Sequence, residues 1–231
     1  MQYIKGVQPI SLIDYPGQIA AVVFLGGCNL RCQFCHNPEL VLTPGKIATI
    51  PEEEFFSFLD KRVGKIEGIV ITGGEPCLHK EIVDFVRKVK EKGFLVKLDT
   101  NGTKPEVLKE VLPYVDYIAM DIKSDLENYN GISGLMVDLD SIKESVTLIK
   151  NSGKEYEFRT TVFREGFDKE KLKNICSWLK GSKKYALQQL DKRNPIINEK
   201  VKDQVLYSKE DMQEFKEEAE KYFDVVELRN V

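Results

Sequence analysis

A chain of 231 residues with 34 Lys and Arg against 37 Asp and Glu has a formal charge of only −3. Such balance gives no electrostatic basis for gripping nucleic acid or an anionic membrane, while the length suffices for one large α/β domain with a substantial core. The longest apolar run, residues 19–25, is far too short to span a bilayer, and residues 1–5 lack the apolar stretch of a signal peptide. A soluble protein of the reducing cytoplasm is expected, organised as a single domain over 1–231.

Residues 11–17, Ser-Leu-Ile-Asp-Tyr-Pro-Gly, read as a turn feeding a strand, with Pro16 and Gly17 supplying the turn geometry. Residues 19–25 are continuously apolar between glycines, the pattern of a strand covered on both faces in a parallel sheet. A helix opens at Pro51-Glu-Glu-Glu, where proline suits the first turn and the acids complement the helix dipole. A strand over 66–71 ends at Thr72-Gly-Gly-Glu-Pro76, and a helix of about 80–91 follows with apolar Ile82, Phe85, Val86 and Val89. The next strand, 94–98, runs into Asp99-Thr-Asn-Gly102.

A helix over 105–112 leads to a strand at 117–123, and a helix over 140–150 to a strand at 156–163. Residues 172–179 read as helix and 185–190 as strand. The polar stretch 191–207 contains Asn194-Pro195 and reads as a loop. A charged helix near 209–222 and a strand at 225–228 close the chain. This alternation implies βαβ units and a mostly parallel sheet. About six units are fewer than the eight of a closed barrel, leaving an open partial barrel or a doubly wound sheet. In either, functional groups gather at the carboxyl ends of the strands.

Three of the five cysteines, Cys28, Cys32 and Cys35, fall just past the first of these strand ends with the spacing C-x3-C-x2-C. Three thiolates are one short of the four that close a [4Fe–4S] cluster, and an iron without a protein ligand is a coordination site held open. The competing possibility is structural zinc with His36 as fourth ligand. Direct adjacency of His36 to Cys35 makes joint coordination of one tetrahedral ion awkward, and no second C-x2-C or H-x3-H pair completes such a site. A disulfide framework does not suit a long Lys- and Glu-rich chain of this kind.

The cysteine loop with Phe34 before its last thiol, followed some forty residues later by Thr-Gly-Gly-Glu-Pro, resembles the radical S-adenosylmethionine enzymes. Asp14-Tyr-Pro-Gly17, Cys35-His-Asn37, Asp99-Thr-Asn-Gly102 and Asp121-Ile-Lys123 narrow the likeness to the activating proteins of glycyl-radical enzymes. Among these the chain is most similar to those of anaerobic ribonucleoside-triphosphate reductase, with the pyruvate formate-lyase activators as close relatives. The resemblance covers nearly the whole chain, best over 5–125 and thinner beyond Arg159. No second cysteine-rich insert accompanies it, so one cluster is expected.

The resemblance implies a partial (βα)6 barrel of the TIM type, with a [4Fe–4S] cluster on Cys28, Cys32 and Cys35. S-adenosylmethionine would chelate the open iron, and one electron would split its S–C5′ bond into methionine and a 5′-deoxyadenosyl radical. Gly73 and Gly74 would admit the methionine amine, Glu75 would brace their loop, and Phe34 would meet the adenine. Lys123 and Arg159 are assigned to the carboxylate, and Asp121 to the ribose or a nearby cation. Asp99, Thr100 and Asp121, with the Ala119 carbonyl, would line a monovalent-cation site, and Asp14 and the 191–207 stretch would contact the partner. That partner is a glycyl-radical enzyme, with a flavodoxin or ferredoxin-type protein as electron donor. The alternatives are a radical enzyme acting on a small molecule, such as a deazapurine-forming synthase, and a non-catalytic zinc module. Cys77, Cys176, Trp178 and His79 read as packing residues.

Overall fold

The computed structural model describes residues 1–231. Its strands are β1 (Ile4–Ser11), β2 (Ala20–Leu25), β3 (Gly68–Gly73), β4 (Leu95–Thr100), β5 (Tyr117–Asp121), β6 (Glu155–Val162), β7 (Lys184–Gln189) and β8 (Val225–Arg229). All eight join one sheet in the order of the chain. From β2 to β8 every neighbouring pair is parallel, and β1 folds back antiparallel on β2. A doubly wound sheet would reverse its strand order partway along. Here the order never reverses, and β1 and β8 stay unpaired with each other, so the sheet is an open partial barrel.

Six βα units run from β2 to the helix before β8. The helices are α1 (Pro38–Leu42), α2 (Glu52–Asp60), α3 (Ile82–Glu91), α4 (Pro105–Val111), α5 (Tyr129–Ser133), α6 (Leu139–Asn151), α7 (Lys169–Leu179) and α8 (Lys209–Ala219). None is long and apolar enough to cross a membrane. Alternate strand residues such as Val23, Ile69, Leu98, Ile118, Phe158 and Leu187 share a buried core with helix residues such as Leu59, Phe85, Leu108, Ile142, Ile175 and Met212. Cys176 belongs to this core as well.

Three differences from the expected elements have physical causes. β1 was not expected, because Gly6 and Pro9 break its pattern; as an edge strand it tolerates a proline that cannot donate to a ladder. β5 ends at Asp121: the Ile122 N–H to the Arg159 carbonyl at 2.7 Å is the last bond of its ladder with β6, the Ile122 carbonyl is taken by the Thr160 hydroxyl at 2.9 Å, and Lys123 lies just beyond the strand. The short helices α1 and α5 hold too few residues to show a 3.6-residue period.

The opposite face of the sheet, lining the inside of the barrel, is divided. Ala20, Val22, Val70, Tyr117 and Ala119 form a small apolar cluster with Tyr15. Beside it Glu157, only 1% exposed, receives both Arg229 terminal nitrogens at 2.8 and 2.7 Å and the Tyr117 hydroxyl at 3.0 Å. Burial alone would raise this carboxyl, but Arg229 and then Arg159 outweigh it and hold the pKa down to about 2, from an ordinary 4.5. Folding lowers the pKa, so the stabilisation is complete above about 4.5 and disappears as pH falls towards about 2. At neutral pH it amounts to about 3 kcal/mol. Thermal unfolding should therefore show wild type losing its advantage over Glu157→Gln across that acid window; a gap independent of pH would rule this out.

Candidate functional site

β2 delivers the chain to Gly26 and Gly27, and the cysteine loop is held from both sides. Gly27 donates its N–H to the Leu40 carbonyl at 2.8 Å, and Arg31 donates to the Ser133 carbonyl at 2.8 Å. His79 donates from Nε2 to the Gly26 carbonyl at 3.0 Å and stacks on Tyr3 with ring centroids 3.9 Å apart. This histidine is thus a packing residue that locks the entry to the loop. Arg31 Nη1 closes the turn internally on the Cys28 and Leu30 carbonyls at 2.8 and 2.7 Å.

Cys28, Cys32 and Cys35 are free thiols and line one cavity of about 210 Å³ with Phe34 and His36. Burial pushes the Cys28 thiol up to about 12 and raises Cys32 and Cys35 too. Thiolates here need a strong cationic partner, which ligated iron supplies. Cys28 Sγ already accepts from the Leu30 N–H at 3.4 Å and from Asn101 Nδ2 at 3.9 Å, contacts of the kind that steady a cluster ligand.

The three sulfurs line one cavity wall. That arrangement suits a cluster, in which each cysteine would ligate a different iron. His36 Nε2 donates to the Asp191 carbonyl at 2.9 Å, which removes it as a fourth zinc ligand through that nitrogen. The residues present fit the cluster that the resemblance implies.

The loop after β3 is fastened to the cysteine loop backbone to backbone. Gly74 N donates to the Leu25 carbonyl at 2.7 Å, and Glu75 N to the Gly27 carbonyl at 2.8 Å. Gly73 has φ +118°, and a Cβ there would stand 2.4 Å from backbone atoms of Leu25. The buried Glu75 carboxylate accepts from the Cys77 N–H (2.9 Å), the Thr100 hydroxyl (2.8 Å) and the Asn101 N–H (2.6 Å), tying this loop to the end of β4. Even with these three donors, burial dominates and raises its pKa. Cys77 lies behind the loop, 1% exposed and outside the cavity lining.

The remaining wall is charged. Arg159 on β6 bridges two carboxylates: Nε to Asp121 at 2.8 Å and Nη1 to Asp99 at 3.2 Å. Lys123 Nζ pairs with the other Asp121 oxygen at 3.1 Å and sits 5.6 Å from the centre of the Phe34 ring. Burial opposes the charge of Asp121, but Arg159 and Lys123 outweigh it and hold the carboxyl well below its usual range. The same pairing keeps Lys123 and Arg159 protonated against their own burial. Phe34, also in the cavity lining, is 5% exposed and packs on Phe163, ring centroids 5.5 Å apart.

The structure thus brings together Cys28, Cys32, Cys35, Phe34, Gly73, Gly74, Asp99, Thr100, Asp121, Lys123 and Arg159 around one cavity, with Glu75 directly behind. It does not bring Asp14 there. Asp14 lies in the turn entering β2, at the opposite end of the sheet, with its carboxylate bonded to Ser11 Oγ at 2.5 Å. Asp99, Thr100 and Asp121, the residues expected at a monovalent-cation site, do line the one cavity, and their side chains are already engaged. Both oxygens of Asp99 and both of Asp121 already face side-chain nitrogens, and the Thr100 hydroxyl is turned away to Glu75.

Sequence reasoning missed Asn101 beside Cys28, although the Asp99-Thr-Asn-Gly102 strand end had marked its neighbourhood. It also missed that 191–207 lies over the cysteine loop. Asn198 donates to the Gln33 carbonyl at 3.0 Å, and Leu190, Ile196 and Val201 pack with Leu30, Cys32 and Phe34.

The model of the radical SAM superfamily matches residues 22–179. A Methanocaldococcus jannaschii protein, provisionally assigned as a glycyl-radical enzyme activating enzyme, is 34% identical over 99% of this chain and 96% of its own. The pyruvate formate-lyase-activating enzyme of Clostridium pasteurianum is 34% identical over 58% of each chain. The crystal structure of Streptococcus suis SuiB bound to its precursor peptide SuiA shares the fold, with a TM-score of 0.68 at 14% identity. That match covers 89% of this chain and 48% of SuiB, so the chain spans about half of SuiB's length. With more than half its residues matched by the family model and a near full-length relative besides, this chain belongs to the radical SAM superfamily.

Proposed function

We propose that the chain is an activase. In this reading it cleaves S-adenosylmethionine reductively at a [4Fe–4S] cluster and installs a glycyl radical on a partner enzyme, anaerobic ribonucleoside-triphosphate reductase. The observation that carries it is one cavity lined by three free thiols, a glycine loop that only hydrogen could line, and a charged wall with one surplus positive charge. Full-length similarity to the M. jannaschii protein supports the choice of an activase. When bound, the cluster would relay one external electron to S-adenosylmethionine, which would supply the adenosyl group that takes one hydrogen atom from a glycine Cα.

The chain's own residues bind and orient. Cys28, Cys32 and Cys35 hold the cluster and leave one iron open. Gly73 and Gly74 present bare backbone to the methionine amine, and Glu75 keeps that backbone in place. Lys123 and Arg159 draw the methionine carboxylate, and Arg159, bonded to Asp121, also holds that side chain for the ribose. Phe34, immobilised against Phe163, walls the adenine side. The whole of residues 1–231 acts as one radical SAM domain in the reducing cytoplasm, and a flavodoxin or ferredoxin-type protein delivers the electron. The 191–207 stretch, rather than the distant Asp14, is the segment beside the cavity that a partner's glycine loop would meet.

The test is electron paramagnetic resonance after anaerobic reconstitution, reduction and addition of S-adenosylmethionine with the candidate reductase. A protein-centred doublet on the reductase, with 5′-deoxyadenosine formed in step, is the expected result. Conversion of an added small molecule without a protein radical would favour the deazapurine-synthase type of activity. A colourless zinc protein that makes no 5′-deoxyadenosine would end the radical reading.

A further inference from the structure

We propose that Lys97 is a tethered counter-cation: its ammonium fills the place beside Asp99 that a free monovalent ion would need, so the site is complete without one. Lys97 stands two residues before Asp99 on β4, and alternation puts both on the inner face. It is 2% exposed and salt-bridged to one Asp99 oxygen, while Arg159 holds the other. A buried ammonium persists only beside such a partner, so the lysine is committed to this position.

The charges close on themselves. Lys97, Asp99, Arg159, Asp121 and Lys123 alternate in sign along a continuous chain of ion pairs, three cations against two carboxylates. Beneath them, Glu157 and Glu227 balance Lys184 and Arg229. Within this ion-pair network a single positive charge is left over, the complement of one incoming carboxylate. An added metal cation would have to displace Lys97 or Arg159 from Asp99, or double that surplus in a poorly solvated wall. The neutral oxygens are engaged as well: the Thr100 hydroxyl donates to Glu75 and accepts from the Gly102 N–H at 3.1 Å, and Ala119 lies between two ladders in the fully buried middle of the sheet. Lys97 is thus a positioning residue, acting through Asp99 and Arg159.

The experiment compares wild type, Lys97→Met and the double variant Lys97→Met/Asp99→Asn in potassium chloride and in tetramethylammonium chloride at equal ionic strength. The first readout is thermal unfolding without added nucleotide. Wild type should unfold at the same temperature in both salts, and Lys97→Met about 3 °C or more higher in potassium, since the ion now enters the vacated place. The double variant should be indifferent, having lost the carboxylate that attracts the ion.

The second readout is S-adenosylmethionine affinity, which rests on the functional reading above. Wild type should bind equally in both salts, and Lys97→Met about tenfold more weakly in tetramethylammonium. Potassium dependence of the wild type in either readout overturns the proposal. So does a Lys97→Met protein indifferent to potassium, or one that folds in neither salt while the double variant folds. Wild type that binds no nucleotide in any salt would refute the functional reading alone, since the unfolding series still judges Lys97.

Discussion

Cys32→Ala is expected to abolish cleavage of S-adenosylmethionine, whereas Cys77→Ala should retain at least about half of wild-type cleavage, a loss of under 1 kcal/mol in barrier terms. The two cysteines are alike in burial, at 7% and 1% exposed, so burial does not separate them. Position does. Cys32 is the middle thiol of the loop, lines the cavity and packs with Leu30 and Phe34. Cys77 sits behind Glu75, where its sulfur accepts only a weak 3.8 Å contact from the Thr100 hydroxyl. Truncating Cys77 removes a small apolar volume and costs stability on the order of 1 kcal/mol. Removing Cys32 leaves a cluster with two protein anchors, so iron and sulfide content should fall with activity. Iron and sulfide analysis alongside a 5′-deoxyadenosine assay decides it, and equal loss in both variants would show that the cluster ligands are misassigned.

How much of this was legible beforehand follows from how local each signal is. Strands β2 to β8 announce themselves through apolar runs a few residues long, and the placement of cysteines, glycines and acids at their carboxyl ends needs only the chain order. The choice between a partial barrel and a doubly wound sheet was not local. It depends on the order of strands in the sheet, which the pattern of one element does not encode. Glu75 was read as a brace, yet its partners Thr100 and Asn101 come from the next strand end and become visible only in three dimensions.

The ion pairs around the expected cation site were hidden for a related reason. Asp99, Thr100 and Asp121 have the right oxygens, but each Asp99 and Asp121 oxygen already meets Lys97, Arg159 or Lys123, and the Thr100 hydroxyl is bonded to Glu75 and Gly102. Two of these three pairings are near-neighbour and could have been suspected from spacing on β4 and after β5. Arg159 joins from 38 and 60 residues away, and nothing in the spacing reports that. Asp14 stands apart: its motif is distinctive, but a turn at the amino end of β2 is separated from the cavity by the length of the strand.

Gly74→Ala should reduce cleavage about a hundredfold or more, although the substitution removes no functional group, because a 1 Å misplacement of reacting partners costs that much. A methyl built on Gly74 would stand 1.8 Å from the carbonyl oxygen of Gly27 and 2.5 Å from its carbon. The neighbour is backbone, not a flexible side chain, so relief requires the two loops to part by more than an ångström. Those loops are the ones that carry Cys28 on one side and the proposed methionine contact on the other, joined by the Glu75 N–H to the same Gly27 carbonyl. Glu75, held in turn by Asn101 and Thr100, resists the shift, so strain passes into the cavity rather than outward. Gly45→Ala is the control, since nothing lies within 4 Å of a Cβ there and its φ is not in the left-handed region. Its activity and unfolding temperature should match wild type. Nucleotide binding and 5′-deoxyadenosine yield, measured with circular dichroism to show that the fold persists, read out the difference. A fully active Gly74→Ala would mean that the two loops need not touch, and the close approach on which this site is built would lose its significance.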